Sequence, residues 1–482
     1  MDIDQSSHIK NKAMSGMAWT GISRFISLGI QFVMGLLIAR LLMPSDYGII
    51  GMFAIFMAIS YAFLDSGFAN ALIRKKNCTD IDLSTVFWFN VIISLFLYVL
   101  IYISAPFIAD FYQMPVLSDV ARVVSLSLIL DGLFVVHTAK LNIDLNFKLQ
   151  SIAVITSSIV SSSIGLYLAY NQYGVWALVY QELTAVFVRM IIIWSGSKWR
   201  PMFVFSKESF YGLFSFGSKL LGTSLIGTIY QNLYTLVIGR LFTPSDVGYY
   251  NRGNHFAIFS SQICTEMLSK VNYPILSKFQ DDDQKLLDVY TKLYRTPMFI
   301  YFPVMFGLSA LAYPMIELLL GDKWLLCVPI LQILVFAFMW TPLTRITHIL
   351  LNVKGRSDFV LKSEIITKVI SFTILSISIP FGILWMCFGY AVSMIITFAV
   401  NCYYTKNTLG YGFYRHLKEL LPILINAFVM CLIIRFCIRF LDEAWLQLFC
   451  GGLVGVSFYF LMAFFIKDKS LFSLIEIVRH KD

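Results

Sequence analysis

Several basic side chains lie inside apolar stretches of this 482-residue sequence, where an ionised group is costly unless it faces a partner or water. An arginine presents a planar fork of donors that suits phosphate oxygens, whereas a lysine acts as a point charge. Both bind an anion more strongly where water is scarce, so these groups predict a site for an anionic ligand. The candidate residues are Arg24, Lys219, Arg252 and Arg345.

Carboxylates also lie inside apolar stretches, where they can exchange cations with an aqueous path. We hypothesise that one or more of them binds a proton or a sodium ion. The sequence has no GxxxxGK[ST] phosphate-binding loop, so we do not expect this chain to use ATP directly. The candidate carboxylates are Asp65, Asp131, Glu182 and Glu266.

The composition indicates which elements hold these groups. Hydrophobic residues make up 58% of the chain and charged residues 13%, whereas an average soluble protein is roughly 25% charged. The apolar residues come in blocks of about 20, close to the length of a helix that crosses a bilayer. Stretches such as 91–105 and 453–466 lack the alternation of a β-barrel strand. The sequence therefore predicts an all-α integral membrane protein.

The basic residues predict the number and orientation of the spans. With fourteen spans, 25 of the 37 Lys and Arg residues fall in one set of loops and only 4 in the alternate set. Cytoplasmic loops carry such an excess, so both termini are predicted to be cytoplasmic. The same rule explains the net charge of +9 without a nucleic-acid partner. The predicted spans are centred near residues 28, 57, 95, 128, 160, 184, 228, 258, 303, 336, 370, 393, 430 and 456.

The segments between the spans are too short to hold a folded catalytic domain, so the chain is not expected to be an enzyme. Its eight cysteines lie mostly in apolar stretches and show no CxxC or CxxH spacing. We therefore interpret them as small core residues, and no metal site is expected.

An internal repeat joins two distant segments. Residues 36–48 (LLIARLLMPSDYG) and 236–248 (LVIGRLFTPSDVG) are identical at eight of thirteen positions, at an offset of 200 residues. Six spans separate the copies, so the two halves run parallel, as in some transporters. The turn also has a local explanation, because Pro ends one helix and Ser or Asp can cap the next.

The repeat predicts the domain organisation. Spans 1 to 6 form an N-terminal lobe (1–200), spans 7 to 12 form a C-terminal lobe (201–410), and 411–482 holds two further helices and a cytoplasmic tail. Arg24 and Lys219 then occupy similar depths in the first helix of each lobe. We expect them to line a central cavity from opposite sides.

Several segments resemble the polysaccharide-exporter branch of the MOP flippase superfamily, which includes the Wzx-type and colanic-acid-exporter-like proteins. The resemblance implies a flippase that moves an undecaprenyl-pyrophosphate-linked oligosaccharide from the cytoplasmic to the periplasmic leaflet of a bacterial inner membrane. We expect no cofactor beyond the coupling sodium ion or proton that the carboxylates suggest. The cargo would be a repeat unit of O-antigen, capsule or exopolysaccharide, and the partners would be membrane lipids and the polymerase or export machinery. The matching segments are 36–53, 65–90, 249–253 (YYNRG), 273–286 (YPILSKFQDDDQKL) and 320–334 (LGDKWLLCVPILQIL).

On this interpretation the four intramembrane cations bind the pyrophosphate, and the carboxylates couple a cation to alternating access of the lobes. Each cation can instead pair with a nearby carboxylate or extend to the interface, and Glu364 with Lys368 has the i, i+4 spacing of a structural salt bridge. Rival functions are a multidrug or metabolite cation antiporter of the same superfamily, a membrane-embedded polymerase or glycosyltransferase, and a scaffold. An antiporter would more naturally have an acidic cavity, and an enzyme a long periplasmic loop.

Overall fold

The computed structural model describes residues 3–64, 67–75 and 77–472, with side chains except those of 3–15, 17, 18, 70, 215, 216, 219 and 220. Throughout this part of the chain the regular structure is helical, with no strand, which confirms the all-α class. The helices are α1 Ile3–Leu41, α2 Pro44–Leu64, α3 Phe68–Arg74, α4 Asp80–Tyr112, α5 Val116–Val124, α6 Leu126–Ile143, α7 Phe147–Tyr170, α8 Val175–Gly196, α9 Lys207–Leu241, α10 Pro244–Ser277, α11 Asp283–Ala310, α12 Ala312–Leu320, α13 Cys327–Phe338, α14 Thr341–Val353, α15 Ser357–Ser378, α16 Ile383–Leu409, α17 Phe413–Ile438 and α18 Ala444–Phe465.

Many of these helices have the length and apolar composition of a membrane span. Among the described residues, eleven segments meet this description, or twelve if α11 and α12, which meet at a 65° bend, form one span. α5 with α6 and α13 with α14 each form one of the eleven segments. α10 is not among them, because the polar run 251–255 lowers its hydropathy. The protein is therefore a multi-pass membrane protein, while the count of fourteen spans stays a prediction.

The chain divides into two compact units, Met1–Gly248 and Tyr249–Asp482. The division falls well after residue 200, because α9 packs against α2, α3 and α4 and so belongs with the first unit. The lobe boundaries at 200 and 410 come from the sequence repeat, which is a different criterion, and they stay predictions.

In the first unit, α7 packs between α1 and α8, and a row of small side chains makes this packing close. The buried serines of α7 include Ser151, whose Oγ donates to the carbonyl of Trp19 in α1 at 3.2 Å. Gln31 Nε2 donates to Ser158 Oγ at 3.3 Å. Small residues allow helix backbones to approach in an apolar solvent, where polar side chains also need partners. The serines of α7 therefore position α1, which carries Arg24.

In the second unit, the last two helices, α17 and α18, pack against α11 and α12, which lie in the predicted C-terminal lobe. α17 packs against α11, and α18 packs against α17 and α12. The buried hydroxyl of Tyr459 in α18 donates to the carbonyl of Phe299 in α11 at 2.8 Å. Asn426 Nδ2 in α17 donates to the carbonyl of Tyr459 at 3.2 Å. The helices predicted as spans 13 and 14 are thus an integral part of this unit.

The two copies of the Pro-Ser-Asp turn have the same local structure. Each proline is the first residue of its helix, and the aspartate side chain reaches back to the preceding backbone. Asp46 Oδ2 accepts the N–H of Met43 at 2.9 Å, and Asp246 Oδ2 accepts that of Thr243 at 3.0 Å. In both copies the aspartate thus satisfies the N–H of the residue before the proline, as in one half of a capping box, and in the second copy Thr243 Oγ1 also accepts the N–H of Asp246 at 3.3 Å.

A glycine follows each aspartate by two residues, and here the two copies of the motif meet inside the first unit. A Cβ atom at Gly48 would overlap the carbonyl oxygen of Pro244, and one at Gly248 would overlap that of Pro44. The contact is reciprocal, as expected for related segments packed around a local two-fold axis. Only glycine allows backbones to approach this closely, which explains why this residue is present in both copies.

Candidate functional site

A polar cluster lies where α2, α6 and α8 pack together in the first unit. The hydroxyl of Tyr61 in α2 lies 3.0 Å from Ser127 Oγ in α6. Asp131, one turn further along α6, is half-buried and lies within electrostatic range of Glu182 and Arg189 of α8. The fold therefore brings together two of the four predicted cation-coupling carboxylates.

The cluster combines features that ion exchange needs. Glu182 is exposed, whereas Asp131 is half-buried beside a hydroxyl group. The Nε of Arg189 is buried and has no hydrogen-bond partner among the described residues. A carboxylate pair beside a guanidinium can bind or release a proton or a small cation with a limited change of net charge. Arg189 also lies in an apolar stretch of the sequence, but the sequence alone does not show that it lies beside these carboxylates.

Arg24 lies at the edge of the interface between α1 and α7. Its neighbours Ser23 and Ser27 are buried, whereas Arg24 itself is exposed. Gln31, two turns along the same flank, donates to Ser158 of α7. The guanidinium therefore lies on an exposed side of a helix whose span, Trp19–Leu41, is otherwise strongly apolar.

For two of the predicted site residues, Asp65 and Lys219, the structure does not describe the side chain. Asp65 lies outside the described residues, and so does the side chain of Lys219, although its backbone belongs to α9. The expected pairing of Lys219 with Arg24 across a cavity therefore stays a prediction.

The two predicted site arginines that lie in the second unit, Arg252 and Arg345, each have a defined neighbour. The guanidinium of Arg252 in α10 lies over the ring of Trp324, 5.3 Å from its centroid. Arg345 in α14 is exposed, and its Nε donates to Ser269 Oγ of α10 at 3.1 Å. Glu266 is exposed one turn before Ser269. Thus Arg345 and Glu266 belong to the same region of the second unit, while Arg252 is fixed by an aromatic ring.

A structural pairing that the sequence predicted is present. Lys368 Nζ lies 3.7 Å from Glu364 Oε2 within α15, as the i, i+4 spacing indicates. Glu364 also lies 3.9 Å from Nδ1 of His348, whose Nε2 is bonded to Asn401 at 2.9 Å. Hydropathy alone gave no sign of these two further partners.

A second polar centre, which sequence analysis missed, lies where α3 leads into α4. Asp82 is buried and accepts hydrogen bonds from Lys75 Nζ at 2.7 Å and from the hydroxyl of Ser209 in α9. Thr79 and Asp82 also form a capping box at the start of α4. A cavity of about 670 Å³ adjoins this centre. Burial raises the pKa of the nearby Cys78 thiol, and the charge of Asp82 adds to that effect. The T-x-x-D spacing was the signal that could have located the cap.

The described residues contain no group of three or more His, Cys, Asp or Glu side chains arranged to hold a metal ion.

The sequence matches a family model described as polysaccharide biosynthesis protein over residues 37–329. The teichuronic acid biosynthesis protein TuaB of Bacillus subtilis is 26% identical over 426 residues, with 87% of this chain and 88% of TuaB covered. The lipopolysaccharide biosynthesis protein WzxC of Escherichia coli is 23% identical over 442 residues, with 89% of each chain covered. The succinoglycan biosynthesis transport protein ExoT of Rhizobium meliloti is 23% identical over 482 residues, with 96% of this chain and 95% of ExoT covered.

Two solved structures are similar in fold. The lipid II flippase MurJ, in an inward closed conformation, has a TM-score of 0.73 at 16% identity, with 94% of this chain and 99% of MurJ covered. An inward-facing multidrug resistance MATE family transporter of the MOP superfamily has a TM-score of 0.60 at 15% identity, with 80% of this chain and 98% of the transporter covered. At this level of identity the similarity shows a common fold.

Proposed function

This chain belongs to the polysaccharide biosynthesis protein family, in the exporter branch of the MOP superfamily, and from that premise we propose that it is a lipid-linked oligosaccharide flippase. Its cargo would be an undecaprenyl-pyrophosphate-linked repeat unit, moved from the cytoplasmic to the periplasmic leaflet of a bacterial inner membrane by alternating access. Relatives named for teichuronic acid, lipopolysaccharide and succinoglycan biosynthesis support a polysaccharide cargo. No covalent bond changes in this function.

The observation that carries the proposal is the exposed guanidinium of Arg24 within an apolar span. A charged side chain within an apolar span is costly, so an exposed arginine in this segment favours a watery path or an anionic ligand. A pyrophosphate offers the oxygens that the guanidinium fork binds. Lys219, Arg252 and Arg345 are the further candidates for the same anion. A cation antiporter would more naturally have an acidic cavity than one lined by these four basic groups.

We predict that Arg24→Ala lowers surface polysaccharide by about tenfold in a flippase-deficient strain complemented with this protein, because one charge-assisted contact to the pyrophosphate is lost. Surface polysaccharide is measured at matched expression in the membrane. Arg24→Lys, which keeps the charge, should retain most of the export.

The matched control is Arg439→Ala, which removes an exposed arginine from the turn between α17 and α18. This variant should export normally. Full export by Arg24→Ala together with Lys219→Ala would refute the pyrophosphate assignment, while export of a small cation instead of oligosaccharide by the wild type would favour the antiporter.

We further propose that the Asp131–Glu182 pair binds the coupling proton or sodium ion. Support comes from the proximity of the two carboxylates and Arg189, and from the absence of a nucleotide-binding loop in the sequence. In proteoliposomes, a proton or sodium gradient should accelerate flipping of a fluorescent lipid-linked oligosaccharide. The double variant Asp131→Asn with Glu182→Gln should lose that acceleration.

Asp110→Asn is the control for this experiment, because Asp110 is an exposed carboxylate in the last turn of α4. It should respond to the gradients as the wild type does. Gradient-dependent flipping that persists in the double variant would exclude this pair, and wild-type flipping that is indifferent to both gradients would exclude coupling.

A further inference from the structure

A polar cavity of about 550 Å³ lies in the second unit, at the end of the helices that is predicted to face the cytoplasm. Its walls are the first turns of α11, the start of α17 and the residues that follow α18. Four basic side chains line it against two carboxylates, Asp288 and Glu419. This cavity is separate from the intramembrane groups assigned above, and the proposed function gives it no role.

One of the four basic residues is neutralised within the protein. Arg295 forms ion pairs with Glu419 and with Asp468, the latter at 2.9 Å. Its Nε also donates to Ser470 Oγ at 3.1 Å. The side chains of Arg295 and Asp468 are only 12% and 6% exposed. This ion-pair network therefore has a structural role, and Arg295 is not available to bind an anionic ligand.

Two other basic residues that line the cavity are exposed to solvent. Lys292 of α11 and Arg415 of α17 are exposed, and neither forms an ion pair with a carboxylate in the described part of the chain. The guanidinium of Arg415 lies over the ring of Tyr411, 5.3 Å from its centroid. Tyr411 is buried, and its hydroxyl lies 2.8 Å from that of Tyr294. Arg415 is therefore held at the cavity by a ring that is itself fixed.

Exposed aromatic side chains lie close in sequence to the residues that line this cavity. Tyr414, adjacent to Arg415, is 79% exposed, and Phe465, at the end of α18, is 75% exposed. Phe472 is 40% exposed and its ring packs against that of Phe464. Tyrosine is enriched at the interface between hydrocarbon and headgroups, and exposed phenylalanines at the end of a membrane helix offer apolar surface to lipid tails. The cationic groups thus lie where a lipid can bring a headgroup to them with its tails on apolar side chains.

We propose that this cavity binds the phosphoryl headgroup of an anionic membrane lipid, with Lys292 and Arg415 as the phosphate-binding cations. Basic pockets between membrane helices on the cytoplasmic side suit such headgroups. A free phosphate compound shares the phosphoryl chemistry but not the tails, so the adjoining aromatic surface favours the lipid. The site would attach a lipid to the unit that contains α17 and α18.

Native mass spectrometry of the purified full chain tests the proposal, with phosphatidylglycerol as the anionic probe and phosphatidylcholine as the neutral one. The double variant Lys292→Gln with Arg415→Gln should bind its first phosphatidylglycerol about twenty-five-fold more weakly, or roughly fivefold for each cation removed. Lys292→Arg with Arg415→Lys keeps both charges and should bind nearly as well as the wild type.

The matched control, Lys278→Gln with Arg439→Gln, removes two exposed cations that do not line the cavity. It should bind phosphatidylglycerol as the wild type does. Equal weakening in this control, or no weakening in the cavity variant, would overturn the proposal.

Hydrogen exchange in nanodiscs locates the lipid. Phosphatidylglycerol should protect residues 284–296 and 411–419 relative to phosphatidylcholine, and the cavity variant should lose that protection. Glycerol 3-phosphate at the same concentration should give none, and equal protection by this soluble compound would overturn the lipid assignment. All these readouts are independent of transport, so the proposal can fail while the flippase assignment stands.

Discussion

Gly48→Ala is expected to destabilise the first unit by about 3 kcal/mol and to reduce export of surface polysaccharide well beyond tenfold. The added methyl group would overlap the carbonyl oxygen of Pro244. A flexible side chain could rotate away, but a backbone carbonyl in a capped first turn cannot move without shifting its helix. The two copies of the motif must therefore separate. Resistance to denaturation by SDS reports the first effect, and complementation reports the second.

The controls for this prediction are Gly35→Ala in α1 and Gly227→Ala in α9, where a Cβ would meet no heavy atom within 4 Å. These variants should be neutral or slightly stabilising, since alanine is a better helix former than glycine by about 1 kcal/mol. Gly48→Ala combined with Gly248→Ala should cost much less than the sum of the two single changes, because one separation relieves both overlaps. A Gly48→Ala protein as stable as the Gly35→Ala control would contradict the close approach.

The helices were largely predictable because their cause is local. A chain in hydrocarbon must satisfy its backbone hydrogen bonds within each segment, so apolar length alone indicates a helix. Each of the fourteen predicted centres falls on a helix of the structure. The Pro-Ser-Asp turn was predictable for the same reason, since a cap involves only residues within one turn. The repeat also located Gly48 and Gly248, although only the packed structure shows what each glycine approaches.

The partners of charged residues were not predictable, because they depend on how helices rotate and pack. Nothing in the sequence around Arg295 indicates its partners, because Glu419 and Asp468 lie 124 and 173 residues further along the chain. The signal that identified Arg252 and Arg345 gave their depth and charge but not Trp324 or Ser269, which they contact. A count of charges in apolar stretches therefore identifies candidates, while packing decides what each one can bind.

The same limit explains the carboxylates. Asp131 and Glu182 are separated by one whole helix in the sequence, and only the packing of α6 against α8 brings them together. Asp82 was not predicted as a site residue because it lies near a loop and outside the apolar stretches, and nothing in the sequence there indicates that its side chain is buried. Its buried position comes from α9, which supplies Ser209. An aspartate in a T-x-x-D cap can thus be solvated or central to a unit, and the sequence does not distinguish the two.

Arg295→Gln is expected to destabilise the second unit by about 3 to 5 kcal/mol, the range observed when one partner of a buried ion pair is removed. The change would leave Asp468, whose side chain is only 6% exposed, without its cation, and Glu419 without its own. These pairs attach α17 and the segment after α18 to α11. We therefore expect a lower SDS midpoint and faster hydrogen exchange in residues 413–472, with the first unit unaffected.

Two comparisons separate lost charge from lost packing. Lys285→Gln breaks the ion pair between Lys285 and Asp282, whose side chains are 71% and 46% exposed, and should leave the stability nearly unchanged because water screens this pair. Arg295→Met combined with Glu419→Gln and Asp468→Asn removes all three charges at similar volume and should recover much of the stability, because no buried charge is then unpaired. A triple variant as unstable as Arg295→Gln would mean that the hydrocarbon stem of Arg295, and not its charge, holds the last two helices in place.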